Sequence, residues 1–390
     1  MRAGCVGDAD GKGPRGGTPG AIRLERVELF SVQLPLKRPY ETSGSVETHQ
    51  THVLARVESE GAVGWGESVA PELPWYSAET PKTVWYALTE VILPRLLREP
   101  LAGPEAVDPA LAWIKGHKMA KATIEMAVWD LAAKRDGVSL SKKLGGSRDA
   151  IPCGVAIGIQ ASLDALLERI EEELAAGYQR VKVKIKPGWD AQVAEGIRAR
   201  WPELPFMLDA NSAYRLEDAP IFQRIDACRP MMIEQPLAEG DIVDHAALQA
   251  RIATPICLDE SIESGEDARK AIQIGATRIV NIKPGRVGGH AAAKRIHDVC
   301  AERDVPVWCG GMLEFGIGRA HNVHLASLEN FRLPGDIAAS ARYYETELIG
   351  EPFTVEPNGT MRVPVGPGIG VTVLEERVRK LAQATAELRA

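Results

Sequence analysis

Five ionisable residues fall into step along the second half of this chain. Lys184, Asp209, Glu234, Asp259 and Lys283 each follow the last by 24 or 25 residues. Each lies near the end of a short apolar run: VKVKIK (181–186), FMLDAN (206–211), MMIEQP (231–236), PICLDES (255–261) and RIVNIKPG (278–285). CGVAIGI (153–159) comes before them, and VPVWCGGM (305–312) and a weaker NFRLPGD (330–336) follow. Between the runs lie amphipathic segments such as LDALLERIEEELAAGY and DARKAIQIGA, which stop at glycine or at a turn, as helices do. Eight strands alternating with helices predict parallel βα units, and the count predicts a TIM-type barrel in the α/β class. One βα unit per step returns the chain to the same height, so the five charges converge on the rim where barrel enzymes keep their active sites. A lone Asp209 or Asp259 would read more simply as a helix cap; five residues in step do not.

The period of two in VKVKIK sharpens this. With Val181, Val183 and Ile185 on one face, Lys182 and Lys184 share the other and look into the barrel. The residues two before each charge, namely Lys182, Met207, Met232, Cys257 and Asn281, then fill the layer below. Lys186, beside Pro187-Gly188, reads as solvated. His321 and His324 in RAHNVH lack a carboxylate at a spacing that completes a metal site and read as a packed helix surface. His49 and His52 are expected on an exposed turn or strand, and Lys118 and Lys121 on the polar face of a helix over 117–130.

Bulk properties narrow the class. At 390 residues the chain is long enough for about two domains. A net charge of −7 disfavours a nucleic-acid partner, which calls for a basic surface. No apolar run approaches the ~18–20 residues that cross a bilayer. The first residues, MRAGCVGDADGKGPRGGTPG, are too polar to bury and read as a disordered tail over 1–21, not a signal peptide. Six cysteines without a CxxC pair predict reduced core thiols and a cytoplasmic location.

Three carboxylates on an apolar rim repel one another and are costly to desolvate. A divalent cation answers both problems. All-oxygen donors favour Mg²⁺ first and Mn²⁺ second over zinc. Lys184 and Lys283 stand on either side in strand order, which suits removal of a proton alpha to a carboxylate, with the metal stabilising the enediolate. A base lysine has to be neutral near pH 7, against an ordinary pKa of about 10.4. Burial and the positive charge of Lys182, Arg286 and the metal are expected to depress it.

KVK (182–184), LDAN (208–211), IEQP (233–236), LDES (258–261) and NIKPGRVGG (281–289) resemble the muconate-lactonizing branch of the enolase superfamily. PCGV, KIKPGWD, TPICLDESI, VNIKPGRVGGH and PVWCGGMLEFGIGRAHN are more specifically similar to its N-succinylamino acid racemase / o-succinylbenzoate synthase group. The likeness spans residues 22 to about 375. It implies a modified (β/α)7β barrel over 149–344, an α+β capping domain over 22–148, and a segment over 345–390 that returns to the cap. It implies Lys184 and Lys283 as the acid/base pair and Asp209, Glu234 and Asp259 as Mg²⁺ ligands. Arg286 is expected to tune its neighbouring lysine, with Asn211, Glu260, Asn281 and Glu314 as supporting residues. Tyr40, Trp75, Tyr76, Gly310, Gly311 and Met312 are the substrate-contact candidates, the first three on cap loops 39–44 and 67–80 that are expected to close over the substrate. The resemblance implies a small carboxylate substrate, an N-acyl amino acid or the o-succinylbenzoate precursor of menaquinone synthesis, and a homo-oligomer from dimer to octamer.

Two departures bear on substrate preference: Ala156 stands where relatives often carry serine, and Ile337-Ala338-Ala339 replaces a stretch usually richer in Ser and Thr. A dipeptide epimerase is disfavoured because Asp336-Ile337-Ala338 lacks a second aspartate, and a mandelate-racemase arrangement because WCGGMLEFG holds no histidine. Muconate cycloisomerase is a further rival within the branch. Outside it, a Schiff-base aldolase would not need three carboxylates.

Overall fold

The computed structural model describes residues 20–390; the expected tail, apart from its last two residues, and Cys5 lie outside the described residues. The chain opens with three long antiparallel strands, Arg26–Glu41, Val46–Ser59 and Ala62–Glu67. Glu60 and Gly61 join the last two, both with positive φ (50° and 76°), the geometry that matches the twist of a tight hairpin. A strand from the far end of the chain, Ala382–Arg389, pairs with Arg26–Val32 and makes the fourth member of this sheet.

The helix Lys118–Arg135 lies across that sheet. Close approach requires glycine: a Cβ on Gly64 would sit 2.0 Å from the Ala127 carbonyl oxygen, and one on Gly66 2.0 Å from that of Thr123. This helix is buried from Met119 to Ala133 save for Lys121, because its other side packs on the barrel. The amphipathic helix expected here is therefore a central one. Lys118 leaves its start to pair with Glu263, and Lys121 donates to the Ile114 carbonyl.

Seven parallel strands form the second sheet: Val155–Ile157, Val181–Lys184, Phe206–Asp209, Ile233–Glu234, Ile256–Leu258, Ile279–Ile282 and Val307–Cys309, adjacent in chain order. The eighth run does not form a strand. Phe331 bridges to Val307 and Gly335 to Cys153, so 331–335 touches both edges of the sheet and closes the ring with two contacts. Pro334, with no N–H to donate, sits between them. Helices intervene as expected. Leu163–Ala175 starts at the Ser162 cap and ends before Gly177 (φ 102°), and Gly265–Gln273 starts at Ser264 and ends before Gly275 (φ 74°).

Parity decides the faces. Val181, Val183, Ile185, Phe206, Leu208 and Ile233 pack outward against the helices in the main core. Met207, Met232, Cys257, Ile279 and Trp308 make a separate apolar plug inside the ring, with Asn281 buried above it.

Candidate active site

The rim charges assemble above that plug. Lys184 and Asp209 end neighbouring strands in direct register, as do Asp209 and Glu234. Asp259 and Lys283 lie one residue beyond their strands. All five are buried. Lys184 Nζ donates to Asp209 Oδ2 and to Asn211 Oδ1, both at 2.6 Å, and Asn211 Nδ2 donates to Glu260 Oε1 at 3.0 Å. Across the rim, Lys283 Nζ donates to Asp259 Oδ2 at 2.7 Å, and Arg286 Nε pairs with Asp259 Oδ1 at 3.0 Å. Lys182 lies between Glu234 (2.9 Å), Asp209 (3.1 Å) and Asp336 (2.6 Å). Asn281 Nδ2 holds the other Glu234 oxygen at 2.6 Å.

The electrostatics follow from crowding in a dry place. Burial and the neighbouring Asp209 carboxylate push Glu234 up to about 8, against the pull of Lys182. Burial and Asp259 do the same to Glu260, also to about 8. Asp209 goes down: burial opposes ionisation, but Lys184 and Lys182 outweigh it. The expected depression of the lysines is not what the geometry gives Lys283. Burial does act to lower it, yet the adjacent Asp259 carboxylate wins and holds the ammonium well above the ordinary lysine range. Arg286 and Lys283 share the Asp259 carboxylate.

A cavity opens onto this rim, and both Lys184 and Lys283 line it. Tyr40, Trp75, Tyr76, Gly311, Met312 and Ala156 line it too. The cap supplies its roof: Trp75 presses on Gly44, where a Cβ would lie 2.6 Å from the indole, and Ser43 Oγ donates to the Ala210 carbonyl at 3.2 Å.

Several expectations change. Tyr76, expected against a substrate side chain, lines the cavity and also places its hydroxyl 2.9 Å from Lys283 Nζ and 3.1 Å from Asp259 Oδ2. Gly310 does not line the cavity; it makes room, since a Cβ there would lie 2.5 Å from Lys283 Cε. Glu314 fixes the loop, accepting from Met312 N (3.0 Å) and Asn322 Nδ2 (2.8 Å). Lys186 pairs with Glu41 of the cap at 2.8 Å. His52 is wholly buried on Glu67 at 2.7 Å. His321 and His324 are buried too, bonded to His290 and to the Ser141 backbone N–H, and hold no metal-ligand geometry.

Among the described residues no three His, Cys, Asp or Glu side chains already form a cation cage. The donor set still fits a hard cation. Asp209, Glu234 and Asp259 have no exposure, and the crowding that raises Glu234 is the charge a divalent ion neutralises.

Residues 25–145 match the mandelate racemase / muconate lactonizing enzyme N-terminal domain, and residues 165–377 the enolase C-terminal domain-like family. The chain belongs to the enolase superfamily. Among its relatives, an o-succinylbenzoate synthase from Geobacillus kaustophilus is 53% identical over 93% of this chain and 97% of its own length. An N-succinylamino acid racemase from Thermus thermophilus is 48% identical over 90% of this chain and 95% of its own. A solved enolase-superfamily structure from Listeria innocua superposes with a TM-score of 0.91 at 39% identity, covering 94% and 99% of the two chains. Superfamily membership carries a divalent metal requirement without naming the ion.

The site also holds residues that strand-end spacing did not single out. Asp336, weighed in the sequence only for a missing neighbour, touches Lys182. Glu47, Gln50 and Tyr343 line the cavity. Asp336 carries a signal of its own, an acid at the end of the eighth run; the cap residues carry none, because a loop's reach is not periodic.

Proposed function

We propose that this enzyme removes the proton alpha to a carboxylate, racemising N-succinyl and other N-acyl amino acids and forming o-succinylbenzoate by dehydration. One observation carries the reading: Lys184 and Lys283 line one cavity, each anchored on a different carboxylate of the same rim. The relatives' names supply the substrate class.

Asp209, Glu234 and Asp259 would hold the cation, Mg²⁺ by the hardness of the donors, with Mn²⁺ second. Such an ion would supply Lewis-acid charge to the substrate carboxylate and would share the Asp259 carboxylate with Lys283. The chain's own residues do the rest. One lysine Nζ takes the alpha proton, and the other stands on the opposite face as an ammonium. In racemisation that ammonium returns a proton, inverting the carbon. In dehydration the substrate hydroxyl leaves as water with a proton from a lysine, and no proton returns to carbon. Asn211 orients Lys184, Tyr76 orients Lys283, and the cap excludes water.

The reading extends to a cytoplasmic homo-oligomer. The five described cysteines are all buried and unpaired, as a reducing compartment allows, and no described helix is long and apolar enough to cross a membrane.

Proton NMR in D₂O with Mg²⁺ and N-succinylphenylalanine tests the chemistry. Loss of the alpha-proton signal with falling optical rotation, abolished by EDTA, is expected. If only the o-succinylbenzoate precursor reacts, the enzyme is a dedicated synthase. If neither substrate reacts, the assignment is wrong.

A further inference from the structure

Lys182 raises a problem for the site just described. Its ammonium lies within 2.9 and 3.1 Å of Glu234 and Asp209, two of the three carboxylates assigned to the cation. In a buried site an ammonium and a divalent ion on the same carboxylates repel with little screening. A further anion is needed if both are to stay.

The structure assigns that part to Asp336: we propose that it is a positioning residue that tethers Lys182, leaving Asp209 and Glu234 free to take a divalent cation. This rests on the functional reading above. The Lys182–Asp336 ion pair, at 2.6 Å, is the shortest of the three that the ammonium makes, while its aligned hydrogen bond goes to Glu234 Oε2. Asp336 is itself held rigidly. Its backbone N–H donates to the Cys309 carbonyl at 2.9 Å, and Arg180 Nη1 donates to Oδ1 at 2.5 Å, leaving Oδ2 for the lysine.

Arg180 has no freedom to turn away. It is wholly buried, it donates to the Pro334 carbonyl as well, and its guanidinium lies 5.3 Å over the Trp308 ring. Gly154 leaves the space it fills, since a Cβ there would come within 2.3 Å of the guanidinium carbon. Lys182 lies over the same indole at 5.0 Å. Arg180, Asp336 and Lys182 thus form a charge relay of fixed geometry, entering the rim from the segment that closes the barrel.

The test is calorimetric titration with Mn²⁺ alone, without substrate, on the full chain. Asp336→Asn keeps the shape and removes the charge, and it is expected to weaken Mn²⁺ binding at least about ten-fold. Adding Lys182→Met removes the competing ammonium and is expected to restore wild-type affinity or better. Unchanged affinity in Asp336→Asn overturns the inference. So does a double variant that stays as weak as the single one, because Asp336 would then act through the fold. A buried arginine stripped of its counter-ion can prevent folding, so Arg180→Met with Asp336→Asn, which removes both charges, is titrated alongside and is expected to show the same loss. Alpha-proton exchange by the wild type, run on the same preparation, separates the two readings. Exchange with unaltered Mn²⁺ affinity in Asp336→Asn sinks the tether alone, whereas a wild type that neither exchanges nor binds Mn²⁺ sinks both.

Discussion

Two regions of this molecule bury ionisable groups, and they treat them in opposite ways. At the barrel rim, charge meets charge: Lys184 on Asp209, Lys283 on Asp259, and Lys182 among three carboxylates. At the seam between cap and barrel, carboxylates rest chiefly on backbone N–H groups, with His52 on Glu67 and Lys134 on Asp130 as side-chain partners beside them. Glu67 accepts from the Phe315 and Gly318 N–H groups, both at 2.7 Å, at the start of the helix Gly316–Leu325. Glu125 accepts from His290 N and Ala291 N, at the start of the helix His290–Ala301, and from Trp129 Nε1. Asp130 accepts from Trp65 N and Ile369 N. Backbone donors are fixed by the fold and cannot be traded, so the seam is a lock. Side-chain partners can exchange a proton or an ion without moving the chain, so the rim can do chemistry.

The largest effect expected from that contrast is at the rim. Replacing Lys184 or Lys283 with alanine should abolish racemisation, a loss of roughly 10²- to 10⁴-fold or more. Each variant should keep alpha-proton exchange for one enantiomer only, the opposite one in each case. Isotope exchange measured separately on the two enantiomers checks this, and equal residual exchange in both would refute the two-faced arrangement.

At the seam the larger effect should be on stability. Glu125→Ala orphans three buried donors, each worth about 1–3 kcal/mol. Denaturant unfolding should register the loss, while kcat of the folded fraction stays near that of the wild type. A comparable fall in kcat would mean that the two regions are not separable.

The smallest effect is a pH dependence with two limbs. Burial lowers His321 and His324 from 6.5 to about 4, so the unfolded chain binds more protons in that window and stability falls as pH drops through it. Burial raises Glu125 from 4.5 to about 8, so the native state binds more protons there and stability falls as pH rises toward 8. Between the ordinary glutamate and histidine values the two limbs overlap and oppose one another. Glu125→Gln should make the alkaline limb of the melting temperature shallower. The rim glutamates Glu234 and Glu260, also pushed up to about 8, should supply what remains of the alkaline limb.

Legibility divides along the same line. The lysine strand could be read directly, because alternation over VKVKIK fixes which residues share a face before any partner is known. The carboxylate ring could be read because a βα unit has a nearly constant length here, so equal spacing becomes equal height. The cap gave less away. His52 looked like an exposed histidine and is buried, since its partners Glu67 and Phe315 come from another strand and from the distant barrel. The helix Lys118–Arg135 looked one-sided and is covered on both sides, because sequence period shows one buried face but not the arrival of a second domain on the other.

By itself, then, the sequence determined the barrel, the rim and the identity of the charges on it, all consequences of local period and of repeat length. Tertiary structure alone decided how those charges are partnered. Tyr76 reaches Asp259 across 183 residues of chain, and Asp336 reaches Arg180 across 156. Such contacts depend on which surfaces meet when the ring closes and the cap docks, and no periodicity within either partner records that choice.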